Sequence, residues 1–128
     1  MNMSVATAKG TVLVIEEQPL LRDNIIDLLE ASYLKTLTAE DGVKGVDLAK
    51  TYQPNLILCE VRIPELDGYS VLKTLRQDPK TAEIPLILLS TMKTETDLSL
   101  AKELGANGYF VKPFASMELL DAIQMQLG

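Results

Sequence analysis

Two stretches, Thr11-Val12-Leu13-Val14-Ile15 and Leu56-Ile57-Leu58-Cys59, are aliphatic and β-branched, of strand length, and show no polar alternation. A strand that is apolar on both faces of its pleat must be covered on both. That is the habit of a parallel sheet between helices, not of an antiparallel sheet with one wetted face. Ile84 to Leu89, with Pro85 near its start, and Gly108 to Val111 repeat the signature, and Leu34 to Ala39 is a weaker member. The segments between them have helical spacing. Leu21, Ile25, Leu28 and Leu29 follow Pro19, which suits a first helical turn, while Arg22, Asp23 and Glu30 take the opposite face. After a turn at Glu40-Asp41-Gly42, Val43, Val46 and Leu48-Ala49 predict a helix ending before Pro54. Tyr69, Val71-Leu72 and Leu75 predict another, closed by Asp78-Pro79; a fourth runs from Thr94 to Leu104 and stops at Gly105. Ser116 is expected to cap the last, with Leu119-Leu120, Ile123 and Leu127 inward.

Five strand–helix units with short, right-handed connections make a doubly wound α/β domain, a five-stranded parallel sheet with five helices in three αβα layers. The chain of 128 residues fits one such domain over residues 11–128, preceded by a short polar arm, residues 1–10. Ligands bind such sheets beyond the carboxyl ends of the strands. Glu16-Glu17, Glu60, Ser90 and Lys112 each fall just there. A net charge of -6 argues against nucleic acid as a direct partner of this domain. The one cysteine excludes an internal disulfide and fits a reducing compartment. No apolar run is long enough to cross a bilayer, and the N-terminus lacks a charged start followed by a hydrophobic stretch, so a cytoplasmic location is expected.

The same positions carry a family resemblance. Val12-Leu13-Val14-Ile15-Glu16-Glu17-Gln18-Pro19, Asn55-Leu56-Ile57-Leu58-Cys59-Glu60 with Ile63-Pro64-Glu65-Leu66-Asp67-Gly68, Ile84-Pro85-Leu86-Ile87-Leu88-Leu89-Ser90, and Gly105-Ala106-Asn107-Gly108-Tyr109-Phe110-Val111-Lys112-Pro113-Phe114 together resemble a response-regulator receiver domain over roughly residues 11 to 127. The resemblance implies a flavodoxin-like sheet of order 2-1-3-4-5 and Mg²⁺ near the acidic residues. It implies a sensor histidine kinase or histidine phosphotransfer protein as phosphodonor. It also implies a downstream protein target met through the fourth helix, fifth strand and fifth helix, and the last helices offer a surface for a homodimer. Carried over by position, Glu60 stands at the phosphoacceptor, Glu16 and Glu17 at the magnesium-binding acidic pair, Ser90 and Tyr109 at the switch, and Lys112 at the lysine that pairs with phosphoryl oxygens. The family builds this pocket on aspartates. Glu17 and Glu60 are the departures, and Glu16 is a tolerated variation.

Glutamate changes the geometry. Mg²⁺ demands near-octahedral coordination at about 2.0–2.1 Å. A misplacement of about 1 Å can cost ~10²-fold in rate, and an added methylene moves a carboxylate by roughly that much. The Glu60 carboxylate is therefore expected to overshoot toward Ser90 and Lys112 and to pair with the lysine. Three carboxylates around one lysine should also raise at least one pKa. The expectation is a receiver whose phosphorylation is impaired or lost. Two other classes are weighed beside it. One is a pseudo-receiver that binds partners without a phosphoryl cycle. The other is a metal-dependent phosphatase of the haloacid-dehalogenase type, disfavoured because Glu16-Glu17-Gln18-Pro19 lacks that family's paired aspartates. Taken singly, each acid has a plainer reading as a solvated strand end. Cys59 reads as a buried small hydrophobe, Met92, Met117 and Met125 as packing residues, and Lys93, Glu95, Asp97 and Lys102 as a solvated helix face. Arg62, Thr91 and Met92 border the pocket.

Overall fold

The computed structural model describes residues 10–128, so all but the last residue of the expected N-terminal arm lies outside the described residues. Along the chain run β1 (Thr11–Ile15), α1 (Pro19–Ala31), β2 (Lys35–Ala39), α2 (Gly42–Tyr52), β3 (Leu56–Glu60), α3 (Gly68–Arg76), β4 (Leu86–Ser90), α4 (Glu95–Glu103), β5 (Gly108–Val111) and α5 (Ser116–Leu127). The strands form one sheet in the order β2-β1-β3-β4-β5, and every neighbouring pair is parallel. This is the flavodoxin-like arrangement that the resemblance implies.

Burial of the central strands on both faces has a simple cause. Along β1, β3 and β4 alternate side chains enter two separate cores. Leu13, Ile15, Ile57, Cys59, Leu86 and Leu88 meet Val46 and Ala49 of α2, Val71, Leu72 and Leu75 of α3, and Ala101 of α4. Val12, Val14, Leu56, Leu58, Ile87 and Leu89 meet Ile25 and Leu29 of α1 and Leu119 and Ile123 of α5. The period of two that places neighbours on opposite faces thus assigns α2, α3 and α4 to one layer and α1 and α5 to the other.

Local chemistry sets most element ends. Asp41, Asp67 and Thr94 cap α2, α3 and α4 by accepting from backbone N–H groups within the first turn. The last helix differs from expectation: Ala115 holds the N-cap position with no side-chain cap, and Ser116 is already the first helical residue. Burial also differs at the methionines. Met92, Met117 and Met125 are 38%, 62% and 82% exposed, so they are surface residues and not packing residues. Cys59 is buried, as a small hydrophobe would be. No helix among the described residues is long and apolar enough to cross a membrane.

Candidate functional site

The carboxyl ends of β1, β3, β4 and β5 meet on one edge of the sheet. Two of the side chains expected there, Glu60 and Ser90, are the last residues of their strands, while Glu16 and Lys112 directly follow theirs. Glu16 is still tied to the sheet, its N–H donating to the Ala39 carbonyl at 3.0 Å. Its buried side chain turns inward. Oε1 accepts from Lys112 Nζ at 3.1 Å, and Oε2 accepts from the Gln18 N–H at 3.1 Å. Arg22 closes the loop from above, donating through Nη1 to the Glu16 carbonyl at 2.9 Å and the Glu17 carbonyl at 3.4 Å.

Glu60 is buried, and its Oε2 forms an ion pair with Lys112 Nζ. Among the described residues no hydrogen-bond donor besides that ammonium is placed to serve this oxygen. The lysine stem runs under cover, with the side chain 18% exposed, and one ammonium therefore joins Glu16 and Glu60. Glu17 is not part of this cluster. It is exposed and faces an open cleft shared with Arg62, Asp67, Tyr69 and Asp97. Two carboxylates, not three, surround the lysine.

The electrostatics follow from this geometry. Burial pushes the Glu60 carboxyl above its ordinary value, Lys112 opposes that shift, and Glu16 adds to it. For Lys112, burial alone would favour the neutral amine, but Glu60 and Glu16 outweigh it and hold the ammonium above its usual range. Cys59, adjacent in sequence, is pushed far up by burial and by the carboxylates of Glu60, Glu16 and Asp67, which leaves an inert thiol.

The expected switch residues lie beside the cluster; their side chains bond elsewhere, while the Ser90 carbonyl accepts from the Lys112 N–H at 2.8 Å. Ser90 is fully buried, and its Oγ accepts from the Met92 N–H at 3.0 Å. Tyr109, half-buried, donates its hydroxyl to the Met92 carbonyl at 2.6 Å. Both therefore hold the peptide groups of one residue in the β4–α4 loop. Next to them Tyr69 donates to Asp97 Oδ1 at 3.1 Å, and Thr94 Oγ1 donates to Asp97 Oδ2 at 2.5 Å. Asp97 is thus half-buried and bonded, not a freely solvated helix residue. Burial, with Tyr109 and Asp97 nearby, lifts the Tyr69 phenol above its ordinary value.

Sequence reading missed three contributors, Arg22, Tyr69 and Asp97. Arg22 looked like an outer-face charge, since its partners are loop carbonyls that come within reach only when the chain folds back. Tyr69 and Asp97 lie on different helices, and nothing local links them.

Carboxylates are the right donor type for a hard divalent ion, but these are not placed as one set. Both oxygens of Glu16 and one of Glu60 are engaged by Lys112 or by backbone, and Glu17 points elsewhere. Among the described residues no group of three Asp, Glu, His or Cys could hold a metal ion. The residues as arranged do not fit magnesium.

Comparison with known proteins bears on the same edge of the sheet. The family model of the response regulator receiver domain matches residues 12–124. Over 116 residues the chain is 34% identical to the DNA-binding dual master transcriptional regulator RpaA of Synechocystis sp., covering 91% of this chain and 48% of that protein. Over 118 residues it is 30% identical to the polar-differentiation response regulator DivK of Brucella anthropi, covering 92% of this chain and 96% of that protein. The chain thus spans about half the length of the first relative and nearly all of the second. Among solved structures, the receiver domain of a sensor histidine kinase from Pseudomonas aeruginosa PAO1 matches with a TM-score of 0.86 and 28% identity, covering 93% of this chain and 98% of that one. That structure has a magnesium ion coordinated in its active site cleft.

Proposed function

The chain belongs to the response-regulator receiver family of two-component signalling, and on that premise we propose that its phosphoacceptor chemistry is impaired or lost and that it acts by binding partners. One observation carries this reading. The Lys112 ammonium is already paired with the carboxylates of both Glu16 and Glu60. Phosphoryl transfer is catalysed by positioning and by neutralising charge on the transferred group. Here the side chain at the acceptor position is spent on the cation that should meet the incoming phosphoryl oxygens.

In this reading Glu60 holds the acceptor position and Lys112 is its counter-ion. Glu16 belongs to the buried cluster, and Glu17 is an acid at the mouth of the cleft. Ser90 and Tyr109 hold the β4–α4 loop through Met92 in one arrangement. That arrangement is offered to a target across α4, β5 and α5, where Leu98 is 43% exposed beside Tyr109. A kinase or phosphotransfer protein, a downstream target and a second copy of the chain are the partners this face could take, and the domain works without turnover of its own.

The test is direct. The protein is treated with acetyl phosphate, or with beryllofluoride, in the presence of Mg²⁺, and followed by intact mass and by amide NMR shifts around Glu60, Ser90 and Tyr109. No mass gain and no shifts are expected. A phosphorylated species overturns the proposal. Reverting both Glu17 and Glu60 to aspartate should restore the signals; an inert double revertant would remove glutamate geometry as the cause.

A further inference from the structure

We propose that the Lys112 ammonium is the resident cation of this pocket, clasped between Glu16 and Glu60 in place of a divalent ion and closing the pocket to one. The inference rests on the pocket assignment above and concerns metal affinity alone. Three observations support it. The side chains of Lys112, Glu16 and Glu60 are 18%, 2% and 6% exposed, so the cation and its two carboxylates are withdrawn from solvent together. The Glu16 carboxylate is fixed at its other oxygen by the Gln18 N–H, and the loop behind it by Arg22, so it cannot swing to a new partner without breaking those bonds. Glu17, the third acid a divalent ion would use, is exposed on the cleft side.

The energetics run against exchange. A divalent ion entering between the carboxylates would sit against a partly buried ammonium, where like charges repel more strongly than in bulk water. Expelling the ammonium instead would break both ion pairs that hold it. Mg²⁺ gives up its own water reluctantly and needs an octahedral set that two occupied carboxylates do not supply. The extra methylene of Glu60 is the structural cause, because it lets the β3 carboxylate reach the ammonium directly. A shorter acid would leave a gap that a hydrated ion could fill.

The test uses the full chain and metal alone, with no phosphodonor. Protein stripped with EDTA is titrated with MgCl₂ while the melting temperature and the amide shifts of Glu16 and Glu60 are followed. Wild-type protein should show no saturable response. Lys112→Met, which keeps much of the stem and removes the charge, should melt lower in EDTA and recover part of the loss as Mg²⁺ saturates the vacated site. Glu60→Asp, which keeps the lysine, covers the case in which Lys112→Met does not fold; it should gain saturable Mg²⁺ shifts at the same amides. Saturable shifts in the wild type overturn the proposal, as does a Glu60→Asp protein as silent to Mg²⁺ as the wild type. A wild type that binds Mg²⁺ yet stays unphosphorylated defeats this inference and leaves the functional proposal standing. One that is phosphorylated but silent to Mg²⁺ alone does the reverse.

Discussion

One methylene decides which atoms meet at the end of β3, and pH is where its effect can be read. The Glu60 carboxyl has its pKa raised above the ordinary 4.5 in the folded protein. Between that value and the raised one the native state holds more protons than the unfolded chain, so stability should fall as pH rises through this window. Urea denaturation across the acid and neutral range should show that slope in wild-type protein and a flatter one in Glu60→Gln. At the alkaline end the sign is the same. Lys112 is raised above 10.5, so its contribution persists below that value and is lost as pH climbs through the folded one. A second residue-scale prediction concerns the bond from Tyr69 to Asp97. Tyr69→Phe should cost about 0.5–1.5 kcal/mol in urea denaturation. The sequence made Glu60 and Lys112 legible because each follows an unmistakable apolar run. It could not separate Glu16 from Glu17, since which of two adjacent acids turns inward depends on the Gln18 N–H and on Arg22.

The elements are held in register by close approaches that only glycine permits. A Cβ at Gly68, the first residue of α3, would lie 2.6 Å from the Glu60 carbonyl oxygen, and one at Gly42, the first of α2, would lie 1.8 Å from the Leu66 carbonyl oxygen. The β3–α3 loop is thereby pinched between two helix starts, with the Gly42 N–H donating to the Pro64 carbonyl at 3.1 Å. Alanine at position 68 would gain helix propensity, but the backbone must move to admit it. Gly68→Ala should therefore destabilise by about 1–3 kcal/mol, measured by thermal or urea unfolding, and should shift the Glu60 amide resonance. Helix and strand positions were legible from apolar spacing, and the Asp and Thr caps have ordinary capping chemistry. The start of α5 was not legible, because Ala115 takes the N-cap with no side-chain bond and the neighbouring serine looks like the better candidate.

At the scale of the molecule, the two cores divide the sheet's side chains between them. Leu58 is fully buried in the α1–α5 layer. Leu58→Ala should cost about 2–5 kcal/mol, measurable as a drop in urea midpoint without change in slope. Layering could be anticipated because strands apolar on both faces must be covered on both, whereas the strand order followed only from the resemblance to the receiver family. The exposed methionines could not be anticipated, since a methionine in a loop or on a helix looks alike in sequence whether it faces the core or the solvent. The sheet also has an edge in β5, a strand of four residues bonded along one side only, to β4. Lys112 directly follows that strand, and its ammonium reaches past β4 to the carboxylates beyond β1 and at the end of β3. Under mechanical load, β5 cannot unzip from β4 without also tearing that electrostatic latch. An edge strand is thus lashed to the middle of the sheet.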